Sequence, residues 1–162
     1  MKVAFLDRDG TIIKDYPDKD WVNIKAPEFL DGSIKALKHF KEKGFEIIII
    51  TNQYLIGENI ISLEDYNQFN DSFLKTLKSH EINILDIFYC PHARNQNCDC
   101  MKPKPGLIHQ ALHKYPDIDL SKSFYVGDSL CDKQLTEHFD LDFYGVNLKC
   151  KNSIQALNEV IV

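Results

Sequence analysis

Within its first eleven residues the chain runs from an apolar stretch, Val3-Ala4-Phe5-Leu6, straight into Asp7-Arg8-Asp9-Gly10-Thr11. Four consecutive apolar residues without alternation describe a buried strand, the kind found in parallel sheets with helices on both faces. In such sheets chemistry takes place beyond the carboxyl ends of the strands, so a pair of carboxylates here stands where an open α/β fold does its work. Position, not spacing, makes the pair informative. Asp-x-Asp occurs four times, at Asp7/Asp9, Asp18/Asp20, Asp117/Asp119 and Asp140/Asp142. Only the first copy follows an apolar run and precedes Gly-Thr; the others read as loops or helix starts.

Further β-rich runs, at 45–51, 85–89, 124–126 and 143–146, alternate with helix-period segments at 33–43, 63–80, 106–115 and 129–138. That alternation predicts a Rossmann-like three-layer α/β sandwich with a mostly parallel sheet. Ser62 and Asp65 have the spacing of a capping box at the start of the 63–80 helix. Residues 153–162 are expected to close the chain as a short helix, packing through Ile154, Leu157 and Ile161. Leucine and aromatic stripes on the helical segments read as core.

With 162 residues, 44% of them hydrophobic, residues 1–162 can bury one core and are expected to form a single domain. A net charge of -5 without a basic stripe argues against a nucleic-acid or membrane-surface partner. No apolar run approaches the length needed to span a bilayer. The strand at the amino end leaves no room for a cleavable signal, so a cytoplasmic protein is expected, with reduced thiols.

The strand ends collect a reactive set. The first ends at Asp7, the second at Thr51-Asn52-Gln53 and the fourth at Gly127-Asp128, while Lys102-Pro103-Lys104-Pro105-Gly106 leads into the preceding helix. These residue types suit phosphoryl transfer, because a phosphate dianion repels a carboxylate nucleophile until a cation and fixed donors offset the charge. Asp7, Asp128 and the Asp9 position offer hard oxygens for Mg²⁺. Thr51, with the adjoining Asn52 and Gln53, and the Lys102 ammonium would hold the phosphate oxygens. Asp7 is then the candidate nucleophile and Asp9 the candidate acid/base.

Cys90, His92, Cys98 and Cys100 form a second group within eleven residues. Three thiolates and an imidazole match a closed tetrahedral Zn²⁺ site of structural type, and Cys-x-Cys geometry is poor for a disulfide. Cys131 and Cys150 read as ordinary small side chains, and His39, His80, His109, His113 and His138 have no motif context.

Asp7-Arg-Asp-Gly-Thr, Thr51, Lys102 and Gly127-Asp128-x-x-x-Asp132 together resemble the four motifs of the haloacid dehalogenase superfamily, over almost the whole chain. The Thr-Asn-Gln, Cys-Pro-His and Cys-Asp-Cys segments resemble its zinc-containing branch, which includes D,D-heptose 1,7-bisphosphate phosphatase and the histidinol-phosphate phosphatase domain. The resemblance implies a Mg²⁺-dependent aspartyl-phosphate mechanism on a small phosphorylated metabolite, with zinc pinning a loop. The interval between Thr11 and Ser33 is too short for a helical cap domain, so a capless phosphatase, acting as a monomer, is expected. A sugar phosphate or bisphosphate is the first substrate class and histidinol phosphate the alternative. Met101 and Ser129 stand where relatives usually carry basic residues. A phosphotransferase that excludes water would need the missing cap, and a zinc module binding nucleic acid is disfavoured by the charge.

Overall fold

The computed structural model describes residues 1–162. Six strands, β1 (Val3–Leu6), β2 (Glu46–Asn52), β3 (Asp86–Cys90), β4 (Phe124–Gly127), β5 (Asp142–Val146) and β6 (Asn152–Ile154), form one sheet in the order β3-β2-β1-β4-β5-β6. Every pairing is parallel, where a mostly parallel sheet was expected. The helices are α1 (Ser33–Glu42), α2 (Tyr54–Gly57), α3 (Leu63–Ser79), α4 (Gly106–Lys114) and α5 (Leu130–Glu137).

Side chains alternate across the sheet, so each apolar strand feeds two cores. Ala4, Leu6, Ile47 and Ile49 pack against Leu37 and Phe40 of α1 and Phe69, Phe73 and Leu77 of α3. Val3, Phe5, Ile48, Ile50 and Tyr125 face the other way, onto Leu107, Ile108 and Ala111 of α4 and Leu135 of α5. Burial on both faces explains why β1 and β2 read as continuous apolar runs; each fully buried Ile or Leu contributes about 1.5–3 kcal/mol. The capping box at α3 is present: Ser62 Oγ accepts from Asp65 N–H at 3.0 Å, and Asp65 Oδ2 accepts from Ser62 N–H at 3.1 Å.

The chain steps outward from β1 to β3, then returns to place β4 on the other side of β1. The seam between β1 and β4 is therefore the topological switch point, where such sheets open a crevice for ligands. Between β1 and α1 there is no cap domain, only a loop with one 3₁₀ turn, Asp18–Asn23. Its Trp21 is buried, packed edge-on against Tyr16 and Phe69, each at 5.5 Å between ring centroids.

The carboxyl end departs from expectation. Instead of a helix over 153–162, Asn152–Ile154 adds β6 to the open edge of β5, and only a 3₁₀ turn, Leu157–Glu159, follows. A ten-residue helix is marginal without a large apolar face, whereas edge pairing satisfies backbone groups on both strands at once. Ile154 and Leu157 are buried as expected, but Ile161 is 85% exposed.

Candidate active site

Asp7 is the first residue beyond β1, and its N–H donates to the Val126 carbonyl of β4 at 2.9 Å, which fixes it across the switch-point seam. The residue is 6% exposed. Lys102, which arrives from the loop ahead of α4, donates from Nζ to Asp7 Oδ1 at 2.7 Å, to Asp132 Oδ1 at 2.7 Å and to the Ile50 carbonyl at 3.0 Å. Burial draws the Lys102 ammonium down, but Asp132 and Asp7 outweigh it and hold it above the usual lysine range. Burial also raises Asp7 well above the ordinary carboxylate range, with Lys102 opposing the shift.

Asp128 enters from the end of β4. Its carboxylate, with those of Asp7 and Asp132, offers oxygens that lie within 4.8 Å of one another. Gly10 makes this approach possible: it has φ +86°, and a Cβ there would occupy the place of the Asp128 carboxylate. Burial, reinforced by the neighbouring Asp132 charge, pushes Asp128 up to about 6. Three gathered carboxylates facing one ammonium leave excess negative charge, and hard oxygen donors are the set that Mg²⁺ takes.

Asp132 appeared in the sequence only as the last letter of a motif, with no role assigned. In the structure it is fully buried at the start of α5 and accepts from four donors. These are Lys102 Nζ, Tyr125 Oη at 2.9 Å, Ser129 N–H at 3.2 Å and Ser129 Oγ at 2.6 Å. Its Ser-x-x-Asp spacing with Ser129 marks a capping box, a signal that conceals the second partner.

The β2 end places its three residues in different roles. Thr51 is 1% exposed and accepts from Gln53 Nε2 at 2.9 Å. Gln53 Nε2 also donates to Asp9 Oδ2 at 2.8 Å. Asn52 brackets the Lys102 backbone, donating to its carbonyl at 3.2 Å and accepting from its N–H at 2.9 Å. Asn52, expected beside the phosphate, lines the same cavity and also seats the lysine, because its side-chain amide matches both polar groups of one peptide segment. The Asp9 carboxylate lies outside the Asp7, Asp128 and Asp132 cluster, held by Arg8 and Gln53.

Asp7, Asp9, Thr51, Lys102 and Asp128 line one cavity of about 200 Å³, walled further out by Trp21 and Tyr54. A larger groove between α1 and Leu157, about 880 Å³, shares no residue with it. At the mouth, Arg94 donates to both Glu58 oxygens at 2.7 Å and to Asp18 at 3.1 Å, with its guanidinium 4.3 Å from the Tyr54 ring. It ties the loop that carries the cysteines to the rim.

That loop brings all four residues singled out in the sequence together. Cys90 and Cys100 sulfurs lie 3.2 Å apart, Cys90 and Cys98 3.5 Å, and His92 Nδ1 is 3.5 Å from Cys90 and 3.1 Å from Cys100. Four donors around one Zn²⁺ with bonds of about 2.3 Å stand roughly 3.7 Å apart, so the gathered set is of the right size. Burial opposes ionisation of Cys98, but the Met101 and Cys100 N–H groups draw its thiol down to about 7. Burial pushes the Cys90 and Cys100 thiols up, so Cys98 is the one of the three that ionises most readily.

Residues 2–154 match the family described as polynucleotide kinase 3 phosphatase. The chain is 42% identical over 141 residues to D-glycero-alpha-D-manno-heptose-1,7-bisphosphate 7-phosphatase of Photorhabdus laumondii, covering 82% of this chain and 74% of that one. The chain is a phosphatase of the haloacid dehalogenase superfamily. The phosphatase is also 37% identical over 155 residues to D-glycero-beta-D-manno-heptose-1,7-bisphosphate 7-phosphatase of Helicobacter pylori, with 94% and 82% coverage. Its fold matches the crystal structure of D,D-heptose 1,7-bisphosphate phosphatase from B. bronchiseptica complexed with magnesium and phosphate. That match has a TM-score of 0.81 and 29% identity, and covers 91% of this chain and 81% of that one. None of the phosphatase's helices is long and apolar enough to cross a membrane.

Proposed function

We propose that this phosphatase hydrolyses a heptose 1,7-bisphosphate, or a closely similar sugar phosphate, through a phosphoryl group carried on Asp7. The observation that carries the reading is Asp7 itself. It is buried at the switch point with Lys102 on one oxygen and Asp128 beside it, in a chain whose similar relatives bear heptose bisphosphatase names. Lys102 occupies one Asp7 oxygen and leaves the other for attack on phosphorus. As the new O–P bond forms, the bond from phosphorus to the sugar oxygen breaks, and Asp9 delivers a proton to that oxygen. Asp9 then takes a proton from water, whose oxygen attacks phosphorus and releases Asp7 and inorganic phosphate. Lys102 and the Thr51 hydroxyl steady the oxygens of the transferring group.

Asp7 and Asp128 would hold Mg²⁺, which when bound offsets the negative charge of substrate and site. Cys90, His92, Cys98 and Cys100 would hold Zn²⁺ as a structural clamp. The clamp lies just ahead of Lys102, and Lys104 reinforces it by donating to the Cys98 carbonyl at 2.5 Å. All five cysteines are free, which suits a reducing compartment.

The test is a substrate panel with Mg²⁺: both anomers of D-glycero-D-manno-heptose 1,7-bisphosphate, heptose 7-phosphate, histidinol phosphate and p-nitrophenyl phosphate. The highest kcat/KM is expected for one of the bisphosphate anomers. A higher value for histidinol phosphate would replace the sugar reading, and no turnover of any member would remove the function altogether.

A further inference from the structure

Arg8 heads the largest fully buried side chains, at 1% exposure, and the reaction above gives it no part. Its Nε and Nη2 donate to the two oxygens of Asp9, at 2.9 and 3.1 Å. The guanidinium carbon lies 5.0 Å from the Phe69 ring centroid and 5.5 Å from that of Tyr66, both on α3. Nη1 is buried without a partner. Burying a guanidinium is unfavourable unless it is well paired, and here a single carboxylate takes all the hydrogen bonds it makes. The arrangement serves orientation better than stability. Two rings on a rigid helix hold the guanidinium plane, and a planar fork in turn fixes the plane of the carboxylate it grips.

We propose that Arg8 is a positioning residue for proton transfer to the leaving oxygen, an inference that rests on the acid/base role given to Asp9 above. The hydrogen-bond count adds an atomic detail. Asp9 Oδ2 accepts from both Arg8 Nη2 and Gln53 Nε2, whereas Oδ1 accepts from Arg8 Nε alone. Each carboxyl oxygen has two lone pairs, so Oδ1 is the oxygen with one free. Oδ1 therefore carries the proton that the leaving alkoxide receives and water later returns, while Arg8 and Gln53 keep Oδ2 out of the exchange. A lysine at position 8 could supply charge but not the two-point grip.

Leaving-group chemistry tests this directly, because acid assistance matters for a poor leaving group and little for a good one. Phenyl phosphate and p-nitrophenyl phosphate are compared in wild type, Arg8→Lys, Arg8→Gln, Asp9→Asn and the Arg8→Lys/Asp9→Asn double variant. Arg8→Lys and Arg8→Gln are expected to lose about 10²-fold in kcat/KM on phenyl phosphate and less than about fivefold on p-nitrophenyl phosphate. Added to Asp9→Asn, Arg8→Lys is expected to cost less than about twofold more, since its effect passes through Asp9. Equal losses on the two substrates, or losses that add in the double variant, would overturn the assignment. If Asp9→Asn itself loses both substrates equally, the acid role fails and this inference falls with it. Should neither Arg8 variant keep the far-UV spectrum of the wild type, Phe69→Leu decides, because it removes one of the rings that hold the guanidinium and leaves Thr51 and Gln53 in place. It is expected to lose about tenfold on phenyl phosphate alone, and an equal loss on both substrates would refute the proposal.

Discussion

Replacing Asp132 by asparagine changes the size of the side chain very little and removes one of the two charges that hold Lys102 in the interior. The wild-type carboxylate accepts from Lys102 Nζ at 2.7 Å, Tyr125 Oη at 2.9 Å and Ser129 Oγ at 2.6 Å, in a position with no solvent exposure. An amide has one accepting oxygen, so either the Lys102 and Tyr125 side or the Ser129 cap must lose its partner. Breaking a buried pair costs about 3–5 kcal/mol, and the low end applies because Asp7 still faces the lysine. A weakened cap adds about 1 kcal/mol. For a chain of this size each kcal/mol shifts Tm by about 2–4 °C, so a drop of roughly 8–16 °C is expected by thermal scanning. Asp7, the residue that must attack, would then be the one charged partner left to Lys102. Losing the correct placement of one charged hydrogen bond, about 1.5–3 kcal/mol, corresponds to a fall of about 10- to 150-fold in kcat/KM. A variant with Tm within about 2 °C of wild type and unchanged kinetics would refute the claim that Asp132 holds the lysine in place.

Asp7→Asn should retain less than about 1% of activity while still unfolding in one cooperative transition, as measured with p-nitrophenyl phosphate soon after purification so that deamidation does not restore the acid. Gly10→Ala should displace Asp128 and strain a turn at φ +86°, lowering activity by at least about 10²-fold and raising the Mg²⁺ requirement. Asp128 at about 6 is a carboxyl raised by burial, so in metal-free protein its contribution to stability falls as pH rises from about 4 to about 6. Mg²⁺ must displace that proton, and its affinity, measured by calorimetry, should rise about tenfold per pH unit in this window. Cys98→Ser should lose the zinc that elemental analysis is expected to find at close to one per chain, keep its sheet by circular dichroism, and turn over substrate with raised KM.

Much of the molecule was legible because its signals are local. Val3–Leu6 and the isoleucine run of β2 are apolar without alternation, which only a doubly covered strand requires, and Asp7 follows directly. Cys90, His92, Cys98 and Cys100 lie so near in sequence that a loop alone can gather them. What the sequence could not reveal depends on contacts between distant segments. Lys102 meets Asp7 across 95 positions and Asp132 across 30, and nothing near position 132 tells a helix cap from the counter-ion of a catalytic lysine. Asn52 reads as a phosphate ligand in the sequence, and that it also grips the Lys102 backbone, 50 positions away, shows only in the fold. The last ten residues carry too little apolar periodicity to choose helix over strand, and the unpaired edge of β5 made the choice for Asn152–Ile154. Spacing along the chain fixes which groups are available, but hydrogen bonds and charges act over about 3 Å, and only the packed sheet sets those distances.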